Sequence, residues 1–308
     1  MTPHTITQLT TPAGVHLAVH TWGTPPSAQT PRQVVVLLHG FPDRALLWQA
    51  VAQHLSAHAW VVAYDMRGCG DSTPLQGTRH YRYAPLIDDL FAVIDHVSPR
   101  QKVHLAGHDW GGLYGWDALF DARAATRIAS FTTMAPSLNQ VGQWVRQRLS
   151  HPTPGRIGQV LHQMLISNGL MGFFAMPLLP TLMWRSGVGL WTFRQLVERL
   201  EGVRLPVHPG VAEDAVRYLG IYRANLFQQV LRPQPVQRTP IPVHTLVATR
   251  DPFLPARVFE GCAEWSTQPS RSEVDASHWA PLSRPQDIAH VVAHMARQHA
   301  QMPCTQAA

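Results

Sequence analysis

The segment Gly107-His108-Asp109-Trp110-Gly111, directly after the apolar run at residues 103–106, constrains this chain more than any other. A strand that stops on Gly-x-Asp-x-Gly and continues into a helix must turn within very few residues. Glycines on both sides remove the Cβ atoms that would hold strand and helix apart. Such a turn lifts the central side chain to the carboxyl end of the sheet, where open helix-flanked sheets bind ligands. Taken alone, Asp109 could instead cap the helix that follows, the lesser of the two readings; the rest of the sequence decides between them.

Short β-branched runs alternate with helix-length amphipathic segments on both sides of this turn, the pattern of a mostly parallel sheet covered by helices. Strands are predicted at residues 15–22, 34–38, 60–64, 103–106, 128–134 and 243–248, with a short one ending in Ser277-His278-Trp279. Helices are predicted at residues 46–55, at 86–97, and around Ile288, Val291, Val292 and Met295. Between residues 136 and 233 the strand signal gives way to helical segments rich in Trp, Phe, Met and Leu. The predicted organisation is an α/β core, residues 1–135 and 234–308, interrupted by a helical cap at 136–233. The tail after Gln301 is expected to fray.

With 45% hydrophobic and 14% charged residues the composition is that of a soluble globular protein. The net charge of +6 invites an anionic partner, but the arginines are scattered rather than gathered into basic blocks, so nucleic-acid binding is not expected. Cys69, Cys262 and Cys304 are far apart and odd in number, which implies neither a disulfide framework nor a zinc site and fits a reducing compartment. No signal peptide and no apolar run of roughly 18 residues is found, so a cytoplasmic, unanchored protein with no membrane partner is expected. Eighteen histidines include no HExxH or similar cluster; no metal and no organic cofactor are expected.

An aspartate in the Gly-x-Asp-x-Gly frame needs no activating base, because its pKa near about 3.9 leaves it ionised at neutral pH. Attack by a carboxylate creates an ester, and cleaving that ester needs an activated water and donors for a tetrahedral oxyanion. His278 in Ala276-Ser277-His278-Trp279 and Asp251 in Thr249-Arg250-Asp251-Pro252-Phe253 supply the base and its orienting acid, in the order nucleophile, acid, histidine. Asp275 competes for the acid role but would have to fold back within the loop of its own histidine. His39-Gly40-Phe41-Pro42 supplies the second donor loop, with the backbone N–H groups of Phe41 and Trp110 as the predicted oxyanion hole. A cis Phe41-Pro42 bond would fix that loop.

These residues resemble the α/β-hydrolase epoxide hydrolases over residues 15–292, through HGFPD at 39–43, YDMRGCGDS at 64–72, AGHDWGG at 106–112, YRANL at 222–226, TRDPF at 249–253 and ASHW at 276–279. The likeness is greatest to the hydrolase part of bacterial proteins that join an epoxide hydrolase to a short-chain dehydrogenase; no dehydrogenase segment occurs in these 308 residues. The resemblance implies an α/β-hydrolase fold and a small apolar epoxide and water as substrates. It makes Asp109 the nucleophile and His278 with Asp251 the pair that activates water. It also implies two cap tyrosines that protonate the departing alkoxide, and Tyr222 matches one. Leu170 stands where the other is expected, so Ser167, Asn168, His162 or a shifted Tyr218 are the candidates to compensate. His39, Trp110, Leu170, Phe173, Phe174 and Trp279 are expected to line the pocket, and Trp144, Met171, Met176, Trp184 and Trp191 are further aromatic or sulfur-bearing cap residues that could do so.

Haloalkane dehalogenases share the Asp, His and acid, and Trp110 is the residue type they use to hold the halide, yet Phe41 stands where many of them carry a polar halide-binding side chain. A disabled hydrolase kept as a binding protein is the third reading, against which stand three intact triad residues. A monomer or homodimer is expected.

Overall fold

A computed structural model of the protein describes residues 4–205 and 208–300; the expected frayed tail and Cys304 lie outside them. In chain order the strands are β1 (His4–Thr10), β2 (His16–Trp22), β3 (Gln33–Leu38), β4 (Ala59–Tyr64), β5 (Val103–Gly107), β6 (Ile128–Thr133), β7 (Val243–Ala248) and β8 (Pro269–Val274). The core helices are α1 (Gln49–Leu55), α2 (Tyr83–Val97), α3 (Trp110–Ala118) and α4 (Ala124–Arg127). Between β6 and β7 come α5 (Leu138–Ser150), α6 (Pro154–Gln163), α7 (Gly169–Ala175), α8 (Leu179–Arg185), α9 (Val188–Glu201) and α10 (Val211–Leu231), and α11 (Ala280–Ser283) and α12 (Pro285–Gln298) close the described chain.

The eight strands form one sheet in the order β1-β2-β4-β3-β5-β6-β7-β8, parallel from β4 to β8 and antiparallel at the β1-β2 and β2-β4 pairs. Its centre is built from the continuous apolar runs: Val34, Val35, Val36 and Leu37 of β3 have no exposed surface. A strand covered by helices on both faces is apolar throughout rather than alternating, and each such side chain contributes about 1.5–3 kcal/mol through burial. The predicted helix at 46–55 begins later than expected: residues 45–48 form a tighter 3₁₀ turn, and α1 starts at Gln49. Strand β1 was not predicted. It is an exposed edge strand paired only with β2, so its sequence carries little apolar signal.

Register fixes where the loops meet. Leu38 pairs with Gly107, so the loop after β3 leaves the sheet beside the turn after β5. At the other side Ala248 pairs with Val274, so the loops carrying Asp251 and His278 leave together. The helical insertion between β6 and β7 lies over these carboxyl ends and is tied down by Asp214 of α10. That buried carboxylate accepts from Arg44 Nε at 2.6 Å and from the backbone N–H of Gly70 at 2.9 Å, both in core loops.

Candidate active site

Asp109 sits at the sharp turn between β5 and α3 with φ +50°, the sole positive φ among the described residues other than glycine. That conformation costs an L-residue of order 1–3 kcal/mol and persists because its surroundings leave no alternative. A Cβ on Gly111 would stand 2.3 Å from the carbonyl oxygen of Leu38, and one on Gly40 would stand 2.3 Å from Asp109 Oδ2. Both glycines are therefore required by close approach. The Asp109 side chain makes no cap hydrogen bond to α3. Instead, Oδ2 accepts the backbone N–H of Phe41 at 2.8 Å, across the loop whose Phe41-Pro42 bond is cis.

The second oxygen, Oδ1, faces Nε2 of His278 at 3.6 Å. On the far side of that ring Nδ1 donates to Oδ2 of Asp251 at 2.7 Å, and Oδ1 of Asp251 accepts the backbone N–H groups of Phe253 at 2.7 Å and Leu254 at 3.0 Å. Asp275, the competing acid, is exposed and pairs with Arg250 instead. Burial pushes the Asp109 and Asp251 carboxyls up, but the His278 charge and hydrogen bonding outweigh it and hold both below their ordinary values. Burial lowers the proton affinity of His278, and its two flanking carboxylates more than reverse this, leaving the ring well above an ordinary histidine.

Three residues that sequence reasoning passed over hold this arrangement in place. His108 donates from Nε2 to the backbone carbonyl of His278 at 2.8 Å; burial pushes its pKa down to about 4, so the ring is neutral. Glu201, at the end of α9, accepts the backbone N–H of Trp279 at 2.7 Å and the Ser283 hydroxyl at 2.5 Å, fastening the insertion to the loop that bears His278. Asp43 accepts the indole N–H of Trp279 at 3.2 Å, and burial together with the Asp109 charge raises its pKa to about 7. Asp43 and His108 were legible only as members of HGFPD and AGHDWGG, without a role of their own; nothing in the sequence marked Glu201.

The matching of this chain to known proteins fits the geometry. Residues 33–285 match a family described as alpha/beta hydrolase fold. The chain belongs to this family. Among its relatives, "Probable oxidoreductase EphD" of Mycobacterium tuberculosis is 30% identical over 91% of this chain and 48% of that protein, so the chain spans about half the length of this relative. Epoxide hydrolase 3 of Xenopus tropicalis is 27% identical over 84% of the chain and 70% of its own length. The fold is shared with the Bacillus megaterium epoxide hydrolase solved with an inhibitor, at a TM-score of 0.73 and 21% identity over 94% of this chain and all of that one.

As an α/β-hydrolase, the protein keeps its cavity between the sheet and the insertion, with a volume of about 210 Å³. Asp109 and His278 form part of its floor, and Trp110, Leu170, Phe173, Phe174, Tyr222 and Trp279 also line it. Met171 and Trp184 line it too. His39 does not. Its Nε2 accepts the backbone N–H of Met66 at 3.0 Å and its Nδ1 donates to the Gly40 carbonyl, so the ring is turned into the protein to brace two loops. Trp144 belongs to a separate apolar cluster beneath the insertion, and Met176 and Trp191 face outward.

Tyr222 of α10 packs edge-on against Trp110 at 4.8 Å and Phe41 at 5.2 Å. Burial, with the Asp109 charge adding to it, pushes its phenol well above the ordinary value, and the Trp110 side chain opposes that shift. Of the four residues considered as replacements for a second tyrosine, Ser167 and Asn168 line the cavity, on a π-helical turn between α6 and α7. Tyr218 directs its hydroxyl at the Met66 sulfur 3.5 Å away, and His162 lies exposed beside Arg257. Neither reaches the cavity wall.

Proposed function

We propose that this chain hydrolyses epoxides to vicinal diols through a covalent ester on Asp109, working in the cytoplasm without a cofactor, as a core of residues 1–135 and 234–308 under a cap of residues 136–233. The observation that carries the reading is the division of labour between the two Asp109 oxygens. Oδ2 rests on the Phe41 N–H, where the ester carbonyl and its later oxyanion need a donor. Oδ1 is left to attack an epoxide carbon in an apolar cavity that holds a protonated phenol, Tyr222. The name of one relative, epoxide hydrolase 3 of Xenopus tropicalis, supports the same class.

In this reading a bond forms from Oδ1 to one ring carbon while the carbon–oxygen bond there breaks, and the alkoxide takes the proton of Tyr222. Esterification removes the Asp109 charge, one of the two that raise the proton affinity of His278. The ring then gives up its proton, which restores the phenol, and becomes the base that a water molecule needs. His278 takes a proton from water as the hydroxide adds to the ester carbonyl. The oxyanion forms on the Phe41 N–H, with that of Trp110 as the second expected donor. Its collapse expels the diol oxygen, which takes the remaining proton of the added hydroxyl, and Asp109 returns as a carboxylate beside an imidazolium.

The test is a parallel panel of aryl and alkyl epoxides and of haloalkanes, with diol and halide release followed together. Diol without halide is expected. Halide without diol would transfer the assignment to dehalogenation with Trp110 as the halide donor, and neither product would favour the disabled hydrolase.

Because Leu170 cannot donate, Tyr222→Phe should lower diol formation by roughly 10²–10⁴-fold, the span expected for losing a general acid. In a single turnover of an epoxide the loss should fall on ester formation, while hydrolysis of the ester, once formed, keeps its rate. Equal slowing of both steps would mean that Tyr222 shapes the cavity rather than donating a proton.

A further inference from the structure

The insertion has an outer face that the proposed chemistry does not use. Of the fifteen large hydrophobic side chains exposed among the described residues, eleven fall within residues 149–191. Ile157, Leu161 and Leu165 recur at four-residue spacing along α6 and its continuation, with Leu165 at 75% exposure. Leu178, at 69%, precedes α8, and Trp191, at 64%, lies on α9. Isolated exposed leucines are ordinary, but such a concentration in one part of a chain marks an interaction surface.

The charge of the protein is concentrated in the same part. Residues 136–233 carry ten arginines against four carboxylates, whereas the remainder carries fifteen basic and fifteen acidic side chains, so the whole net charge of +6 belongs to the insertion. From 136 to 205 there is no aspartate, and the two glutamates are partly buried, Glu201 being engaged with the loop of His278. Arg156, Arg185, Arg194 and Arg199, on the same helices or directly flanking the exposed apolar positions in sequence, are themselves exposed.

We propose that this face docks on an anionic lipid bilayer, lying on the membrane rather than crossing it. An apolar face bordered by arginines, with an exposed tryptophan, suits the boundary between headgroups and acyl chains, where phosphates pair with guanidinium groups. Among the described residues no single helix is long and apolar enough to span; the stretch Pro154–Ala175 and the helix Leu179–Arg185 reach the required hydropathy only together and meet at 82°. A second copy fits less well, because two arginine-bearing faces of the same sign would repel. The inner sides of the same helices line the cavity through Leu170, Met171, Phe173 and Met183. Docking would thus set the cavity roof against a reservoir of apolar compounds, while the binding itself is independent of which reaction the cavity performs.

The experiment is flotation of the full chain with vesicles of phosphatidylcholine containing about one third phosphatidylglycerol, compared with phosphatidylcholine alone, at low and high salt. Binding to the anionic vesicles is expected, at least tenfold weaker without the anionic lipid and weakened by salt. The combined variant Leu165→Ser, Leu178→Ser, Trp191→Ser should lose binding at least tenfold while keeping its thermal stability and its turnover of water-soluble substrate, since these side chains are exposed and outside the cavity. Absence of binding to anionic vesicles overturns the proposal. So does a dimer, seen by sedimentation, that the triple variant abolishes while vesicle binding persists, because the face would then belong to a second copy. A failed epoxide panel with vesicle binding intact would overturn the catalytic reading alone.

Discussion

Replacing His278 with Gln is expected to stop the protein half-way, with the substrate attached. Given an epoxide that the wild type converts, intact mass should rise by the mass of that epoxide, and turnover should fall by roughly 10³-fold or more. The reasoning lies in the geometry: Oδ1 of Asp109 needs no base, whereas the water of the second step does, and His278 Nε2 is the basic atom facing the ester position. Glutamine retains a side-chain amide able to donate to Asp251, so the loop keeps its main anchor. Asp109→Asn should show no adduct at all, because a neutral amide is a poor nucleophile. An adduct on the Asn variant, or rapid turnover by the Gln variant, would sink the two-step scheme.

Asp43→Asn is expected to stabilise the protein, and to do so most above neutral pH. A carboxyl whose folded pKa is raised from 3.8 to about 7 binds its proton more tightly in the native state than in the unfolded chain. Between those values the native state holds the extra proton, so stability falls as pH rises and the whole loss is present above the folded value. At 1.36 kcal/mol per pKa unit the loss is about 4 kcal/mol. Asparagine keeps an oxygen for the Trp279 indole and cannot ionise. At an unfolding entropy of about 2.1 cal/mol/K per residue, the gain corresponds to roughly 6 °C in melting temperature at pH 8, shrinking toward zero near pH 4. Calorimetry of both proteins across that range checks the sign. A variant less stable than wild type at pH 8 would mean that the ionised carboxylate has a compensating partner.

What the sequence disclosed and what it concealed divide along physical lines. The central strands were legible because burial on both faces demands unbroken apolar runs, as in Val34 to Leu38, and the turn around Asp109 was legible because only glycine permits its close approaches. The edge strands β1 and β8 are largely exposed; their pairing comes from backbone hydrogen bonds, so the first was missed and the second was expected to reach Ser277-His278-Trp279, three residues and more beyond its end at Val274. Motif membership also did not reveal direction. His39 belongs to the same short segment as Phe41, yet its two ring nitrogens are committed to Met66 and Gly40, and it turns away from the cavity. Glu201 was invisible because its partners lie 78 and 82 positions away and become neighbours only when the insertion settles on the sheet.

That contact ties two properties which protein engineers usually adjust separately. Helix α9 contributes Gly189, Thr192, Phe193 and Leu196 to the cavity wall and ends on the carboxylate that fastens the loop of His278. Adding or removing one helical turn to widen the cavity would shift that carboxylate by about 5.4 Å along the axis, far beyond hydrogen-bond reach. The loop would lose its fastening in the same stroke. Selectivity is therefore better remodelled by point changes at Thr192 or Leu196 on the inner face of α9, whereas a change in its length would trade reaction rate for a new substrate range.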